Sequence, residues 1–94
     1  MQREFKRDDL VKHFKKEAND FAPNAYLYRI LYTDARETQN YKKVVVYIAL
    51  YDSPDGLVKT GDVFVRDYDE FMSEVDHEKY TDIKQKYRFE LFEQ

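Results

Sequence analysis

The segment from Val44 to Tyr51 constrains the fold of this chain more than any other. Read as a strand, it places apolar side chains on both faces: Val44, Val46, Ile48 and Leu50 on one, and Val45, Tyr47, Ala49 and Tyr51 on the other. A strand that is apolar on both faces has to be covered on both. The sequence therefore predicts a strand over residues 43–51 in the middle of a small domain.

The composition predicts one ordered domain over residues 1–94. The chain has nine Tyr and seven Phe but only two Gly and two Pro. Each buried aromatic ring removes ~150–250 Å² from water, so a few large side chains can stabilise a modest core. A chain of this length supports a single core of that kind.

Several classes of protein are disfavoured by residues that the chain lacks. With no Cys, it has no disulfide framework and no thiolate zinc site. The two histidines, His13 and His77, lie in separate predicted elements, so we expect neither a metal site nor a cofactor. The formal net charge of −3 argues against bulk nucleic-acid binding. No apolar run approaches the ~18 residues of a membrane span, which predicts a cytoplasmic protein without membrane contact.

Alternating residues and turn signals divide the chain into short elements. Further strands are predicted at 26–34, 63–66 and 87–92, with a short one possible at 57–59. In the strand at 26–34, one face would carry Tyr26, Tyr28, Ile30 and Tyr32. Asp67 and Glu70 have the spacing of a capping box, which predicts a helix over 67–76. The fold class is mainly β: a small bent antiparallel sheet or barrel of about five strands with one short helix near 67–76.

Residues 8–16 fit two structures. Leu10, Val11 and Phe14 have helical spacing behind two acidic residues that could cap a helix. The same segment also alternates in the manner of a first strand. Local propensity slightly favours the helix.

Strand ends predict a candidate binding site. If the sheet curls, His13 from the first strand, Glu37 and Thr38 after the second, and Arg66 before the helix can meet on one rim with Tyr47. Such a rim suits a planar or anionic group, because Arg offers a fixed pair of donors. The alternative is a structural Glu37–Arg66 pair that only pins two strands. Tyr47 and Tyr51 could line an aromatic groove, although packing under the helix is the favoured interpretation.

Blocks of residues in the same order resemble a known family. They are Asp8-Asp9-Leu10-Val11-Lys12-His13-Phe14-Lys15-Lys16-Glu17, Glu37-Thr38, Val45-Val46-Tyr47-Ile48-Ala49-Leu50-Tyr51, Val65-Arg66, Phe71-Met72-Ser73-Glu74-Val75-Asp76, Lys79-Tyr80 and Lys86-Tyr87-Arg88-Phe89-Glu90. Together they are similar to the bacterial domain-of-unknown-function family 1653 from about residue 8 to 92.

The resemblance implies a compact, SH3-like β domain, and it favours a strand rather than a helix at 8–16. It implies no reaction. The chain departs from the family pattern at Ala35, where a histidine is usual, and at Asp67, where a proline is usual. The loop at 39–41 is also longer. The missing histidine weakens an enzymatic interpretation.

Two classes of function remain open. The first is a small binding module that recognises a protein, a peptide or another anionic or planar ligand through His13, Glu37, Thr38, Tyr47, Tyr51 and Arg66. The second is a small hydrolase or nucleotide-handling enzyme that uses His13, Glu37 and Arg66. The chain carries no nucleophile motif and no phosphate-binding loop. The sequence therefore favours binding and predicts no catalytic residues.

Overall fold

A computed structural model of the protein describes residues 4–93, which contain one open five-stranded sheet. Its strands are β1 (Leu10–His13), β2 (Leu27–Arg36), β3 (Lys43–Ala49), β4 (Val63–Asp67) and β5 (Phe89–Leu91), and one short helix, α1, spans Tyr68–Phe71. The strand order is β4-β3-β2-β1-β5, and every neighbouring pair is antiparallel. The prediction of a mainly β antiparallel sheet with one short helix is confirmed. β4 and β5 form the two edges.

Residues 8–16 combine a strand with a single helical turn. β1 pairs with β2 on one side and with β5 on the other, and a 3₁₀ turn at Phe14–Lys16 follows directly. The two ladders bury Val11 and His13, and this tertiary pairing outweighs the local preference for helix. The strand favoured by the resemblance is present, but it ends at His13.

The central strand is buried mainly on one face. Val45, Tyr47 and Ala49 are buried against the core, whereas Val46 and Ile48 on the opposite face are only half-buried. Those two residues lie opposite Val65 and Val63 of edge strand β4, which are 61% and 55% exposed. The expectation that both faces are fully covered is therefore wrong for the outer face.

Irregular pairing changes which tyrosines of β2 are buried. Tyr28 and Ile30 are buried as predicted, but Tyr32 is 47% exposed. The register between β2 and β3 shifts on each side of Tyr32, so the simple alternation does not continue past Ile30. Tyr26, just before β2, has a positive φ of 57° and lies outside the strand.

The residues between β3 and β4 form turns, and the short strand predicted at 57–59 is absent. Ser53 N–H donates to the Val58 carbonyl, and Thr60 N–H donates to the Asp52 carboxylate. These local bonds use the backbone groups that a strand would offer to a neighbour. Gly56 and Gly61 have φ of 77° and 98°, values that Gly adopts without steric cost.

Helix α1 begins where the sequence predicts and ends five residues earlier. The Asp67 side chain accepts from the Glu70 N–H, as an N-cap does. After Phe71 the chain instead forms an isolated bridge between Glu74 and Tyr87, supported by bonds from Val75 N–H to Lys86 and from Arg88 N–H to Ser73. Pairing with a distant segment thus ends the helix.

Two apolar clusters result from this arrangement. The larger one lies between the inner face of the sheet and α1, and the smaller one contains Phe14, Val75 and Ile83. The two clusters therefore separate Phe71 from Val75, which the predicted helix would have placed on one stripe. In the part of the chain that the structure describes, no helix is long and apolar enough to cross a membrane.

Phe71→Ala is expected to lower the free energy of unfolding by about 3–5 kcal/mol, because it leaves a cavity at a fully buried position. Urea denaturation monitored by circular dichroism measures this loss. Leu57→Ala, at a side chain that is 81% exposed, is the control and should stay within about 0.5 kcal/mol of the parent. A Phe71→Ala loss below about 1 kcal/mol would contradict a core role for the ring.

Candidate functional site

The candidate site is built around the buried ring of Phe89 on β5. The ring stacks on Phe71 of α1 with centroids 4.0 Å apart. His13 approaches it edge-on at 5.0 Å, and Tyr47 lies 5.5 Å away. The guanidinium carbon of Arg66 is 5.7 Å from the centroid. Three of the predicted site residues, His13, Tyr47 and Arg66, therefore contact one ring.

A hydrogen bond from the Lys15 backbone fixes the tautomer of His13. His13 ends β1, and its Nδ1 accepts a hydrogen bond of 3.2 Å from the Lys15 backbone N–H. A neutral imidazole that accepts at Nδ1 carries its proton on Nε2. No residue of the described chain accepts from Nε2, and this atom is not sealed from solvent. His13 is only 8% exposed, so its Nε2–H has limited contact with solvent.

The surroundings of His13 keep the imidazole neutral. Burial lowers its pKa from 6.5 to about 3, and the positive charges of Arg66, Lys15 and Arg88 act in the same direction. Arg88 is held by an Nε bond of 3.4 Å to the Ser73 hydroxyl. Three cations thus act on a histidine that carries no charge itself.

Arg66 is oriented from two sides. Its Nε donates to the Tyr47 hydroxyl at 3.2 Å, and its Nη1 donates to Glu70 Oε1 at 2.6 Å. A guanidinium has five N–H donors. Among residues 4–93, no other acceptor takes the remaining donors of Arg66. The side chain is 27% exposed, so these donors are available to a ligand.

Tyr51 is connected to the Phe89 ring through Tyr28. Its hydroxyl is 2.8 Å from the Tyr28 hydroxyl, and the Tyr28 ring is 5.9 Å from Phe89. Tyr51 packs on Tyr26 and Phe21, whereas Tyr47 packs on Phe71 of α1 at 5.3 Å. Packing under the helix, the favoured interpretation, is therefore correct for Tyr47. Tyr51 is buried against the loop that precedes β2.

Glu37 and Thr38 lie outside this cluster. The Glu37 carboxylate accepts from the backbone N–H groups of Gln39 and Asn40, at 3.1 and 3.0 Å, and so closes its own turn. Thr38 is exposed in the same turn. The proposed Glu37–Arg66 pair is wrong, because the carboxylate on Arg66 belongs to Glu70. The sequence did contain that signal, since Glu70 is four residues after Arg66 in the chain.

The candidate site has little exposed surface, because Tyr47 and His13 are buried and the Arg66 side chain is 27% exposed. Grooves of about 170, 560 and 420 Å³ occur elsewhere, and none of these three is lined by His13, Tyr47 or Arg66. One of them, lined by Phe5, Tyr87 and Leu91 among others, runs beside β5. Small-molecule sites are usually deep concave pockets. These three grooves therefore do not place His13, Tyr47 and Arg66 in a small-molecule pocket.

The described residues contain no cluster of three or more His, Asp or Glu side chains that could hold a metal ion. The open Nε2 of His13 lies in the field of three cations, which would repel a metal ion. The Nδ1 of His77 lies 3.1 Å from the Ile83 carbonyl oxygen, in a different part of the chain. The donor set of the site therefore suits an anion or a hydrogen-bond acceptor.

The stability of the protein should fall as the pH drops from about 6.5 toward about 3. The unfolded chain takes up a proton on His13 near pH 6.5, which the folded chain does not take up until about pH 3. Above that window the depressed pKa contributes its full stabilisation, and below it the contribution is lost. For one proton the slope approaches about 1.4 kcal/mol per pH unit.

Urea denaturation at a series of pH values measures this slope. His13→Gln should give a flatter profile than the parent, whereas His77→Gln, at an exposed position, should keep the parent slope. Equal slopes for the parent and His13→Gln would show that the proton binds elsewhere.

Comparisons with known proteins give one finding. No curated protein and no solved structure matches the chain. A family model described as "Protein of unknown function (DUF1653)" matches residues 9–91, which is most of the chain. It covers all five strands, the helix and every residue of the candidate site. The chain therefore belongs to the domain-of-unknown-function family 1653.

Proposed function

We propose that the protein is a binding module that takes a carboxylate of a protein or peptide partner on His13 and Arg66. The observation that carries the proposal is a set of N–H donors beside Phe89 that have no acceptor among the described residues: the Nε2–H of His13 and the remaining N–H groups of Arg66. Both residues contact the Phe89 ring, and the charge of Arg66 helps to lower the pKa of His13, so the two side chains are neighbours.

The electrostatic field of this patch is opposite in sign to the net charge of the protein. The chain has a formal net charge of −3, yet Arg66, Lys15 and Arg88 all act on His13. A local positive field attracts anions and speeds their capture. Because His13 stays neutral, it adds a directed hydrogen bond without adding another cation to this crowded position.

The geometry favours a planar anion on a flexible partner. A guanidinium pairs with a carboxylate through parallel hydrogen bonds, and Tyr47 already fixes the plane of Arg66. The Arg66 side chain is 27% exposed on the edge strand β4, which suits a side chain or chain terminus projecting from a peptide. These features support a peptide or protein partner over a small substrate.

The orientation of His13 supports a donor role rather than acid–base chemistry. A general base needs an unprotonated nitrogen facing the substrate and a pKa near the working pH. The Nδ1 of His13 is occupied by the Lys15 N–H, its outward nitrogen carries the proton, and its pKa is about 3. Glu37, the carboxylate required by the enzymatic alternative, closes a separate turn.

A short glutamate-rich peptide with blocked ends and its glutamine counterpart test the proposal. Nuclear magnetic resonance of ¹⁵N-labelled protein follows the His13 Nε2–H and Arg66 Nε–H signals during titration. We expect saturable shifts with the glutamate peptide and none with the glutamine peptide. Equal responses to both peptides, or none to either, would overturn the proposal.

Arg66→Gln should weaken binding of the glutamate peptide at least about tenfold, as expected when one charged hydrogen-bonding partner worth about 1.4 kcal/mol or more is lost. Arg29→Gln is the matched control, because Arg29 is exposed opposite Ile48 on the outer face of the sheet and the substitution removes the same charge. Arg66→Lys keeps the charge but loses the paired donors, and it reports on binding if Arg66→Gln does not fold. Similar affinities for Arg66→Gln and Arg29→Gln would argue that net charge alone attracts the peptide.

A further inference from the structure

We infer that Glu70 is a built-in competitor, which occupies Arg66 with the same chemical group that the partner would bring. The inference rests on the proposed function and adds a regulatory contact to that site. In the absence of a partner, Glu70 Oε1 accepts from Arg66 Nη1 at 2.6 Å. A partner carboxylate that uses the Nη1 N–H now bonded to Glu70 has to displace this bond.

The ion pair is placed where it can open. The Glu70 side chain is 53% exposed and that of Arg66 is 27% exposed. Exposed ion pairs are weak, because water solvates a released carboxylate almost as well as the partner does. Separating Glu70 from Arg66 therefore costs little free energy. A carboxylate buried away from water would cost much more to separate from its partner.

The frame around the pair stays fixed when Glu70 leaves. The Glu70 backbone N–H is bound to the Asp67 side chain at the start of α1, so only the Glu70 side chain has to rotate. Arg66 keeps its bond from Nε to the Tyr47 hydroxyl, which holds the guanidinium plane. Release of Glu70 then exposes an oriented, uncompensated cation.

Glu70 also raises the binding free energy that a ligand must supply to occupy Arg66. As long as it remains beside Arg66, its negative charge repels an incoming anion and satisfies one N–H donor. A single weakly held carboxylate gains little by exchanging places with Glu70. A partner with several acidic groups, or with an apolar contact beside the carboxylate, gains more. The contact thus selects against free small anions.

An alternative role for Glu70 predicts the opposite change in affinity. If Glu70 only positioned Arg66, its loss would loosen the guanidinium and weaken binding. If Glu70 competes with the partner, its loss strengthens binding. The sign of the change therefore separates the two roles.

Titration of Glu70→Gln with the glutamate-rich peptide tests the inference. The amide of this variant retains an oxygen that can accept from Arg66 but lacks the charge, and we expect about three- to tenfold tighter binding. Asp69→Asn is the matched control: this exposed neighbour on the same helical turn loses the same charge and forms no hydrogen bond or ion pair with Arg66. Its affinity should stay within about twofold of the parent.

A second measurement uses the unaltered protein. The side-chain carboxyl ¹³C signal of Glu70 should move during the titration, in step with the Arg66 Nε–H signal. Unchanged or weaker binding by Glu70→Gln, or a Glu70 signal that stays still while Arg66 responds, would overturn the inference alone. If neither the parent nor Glu70→Gln binds the peptide, the proposed function fails as well.

Discussion

The packing of the Phe89 ring is the interaction on which the rest of the structure depends. It contacts a side chain from each of the other four strands and from the helix: His13 of β1, Tyr28 of β2, Tyr47 of β3, Arg66 of β4 and Phe71 of α1. In a small domain, a single buried aromatic ring can supply a large part of the apolar contact. β5, which carries this ring, therefore contributes more to the packing of the core than its length of three residues suggests.

The same ring links the core to the candidate site. By excluding water from one side of His13, it contributes to the burial that keeps the imidazole neutral. It also lies beneath Arg66, whose other contacts come from Tyr47 and Glu70. The Phe89 ring thus packs against both donors, and polar contacts with Tyr47 and Glu70 add to the support of Arg66. Contact with the ring holds these side chains without using their N–H donors.

The sequence predicted features that depend on local pattern, and it missed those that depend on distant pairing. The central strand, predicted over 43–51 and observed over Lys43–Ala49, and the cap at Asp67 follow from local pattern. Of the residues predicted to meet at strand ends, His13, Tyr47 and Arg66 contact one ring, whereas Glu37 and Thr38 lie apart. The end of α1 could not be predicted, because it is decided by the bridge between Glu74 and Tyr87. Glu37 was misassigned because the backbone N–H groups of its own turn compete successfully for its carboxylate.

β5 joins the sheet beside β1, with Phe89 opposite His13, so the last strand of the sheet pairs with the first. β1 to β4 are synthesised before Phe89. Until Phe89 is added, the aromatic side chains that contact it lack their central ring. β1 also has one unpaired edge until β5 joins it. Pairing β5 with β1 costs the conformational entropy of the long segment between them. The stabilising contacts of Phe89 form only at this last step. During synthesis, neither the core nor the arrangement of His13 and Arg66 is complete until translation has passed β5.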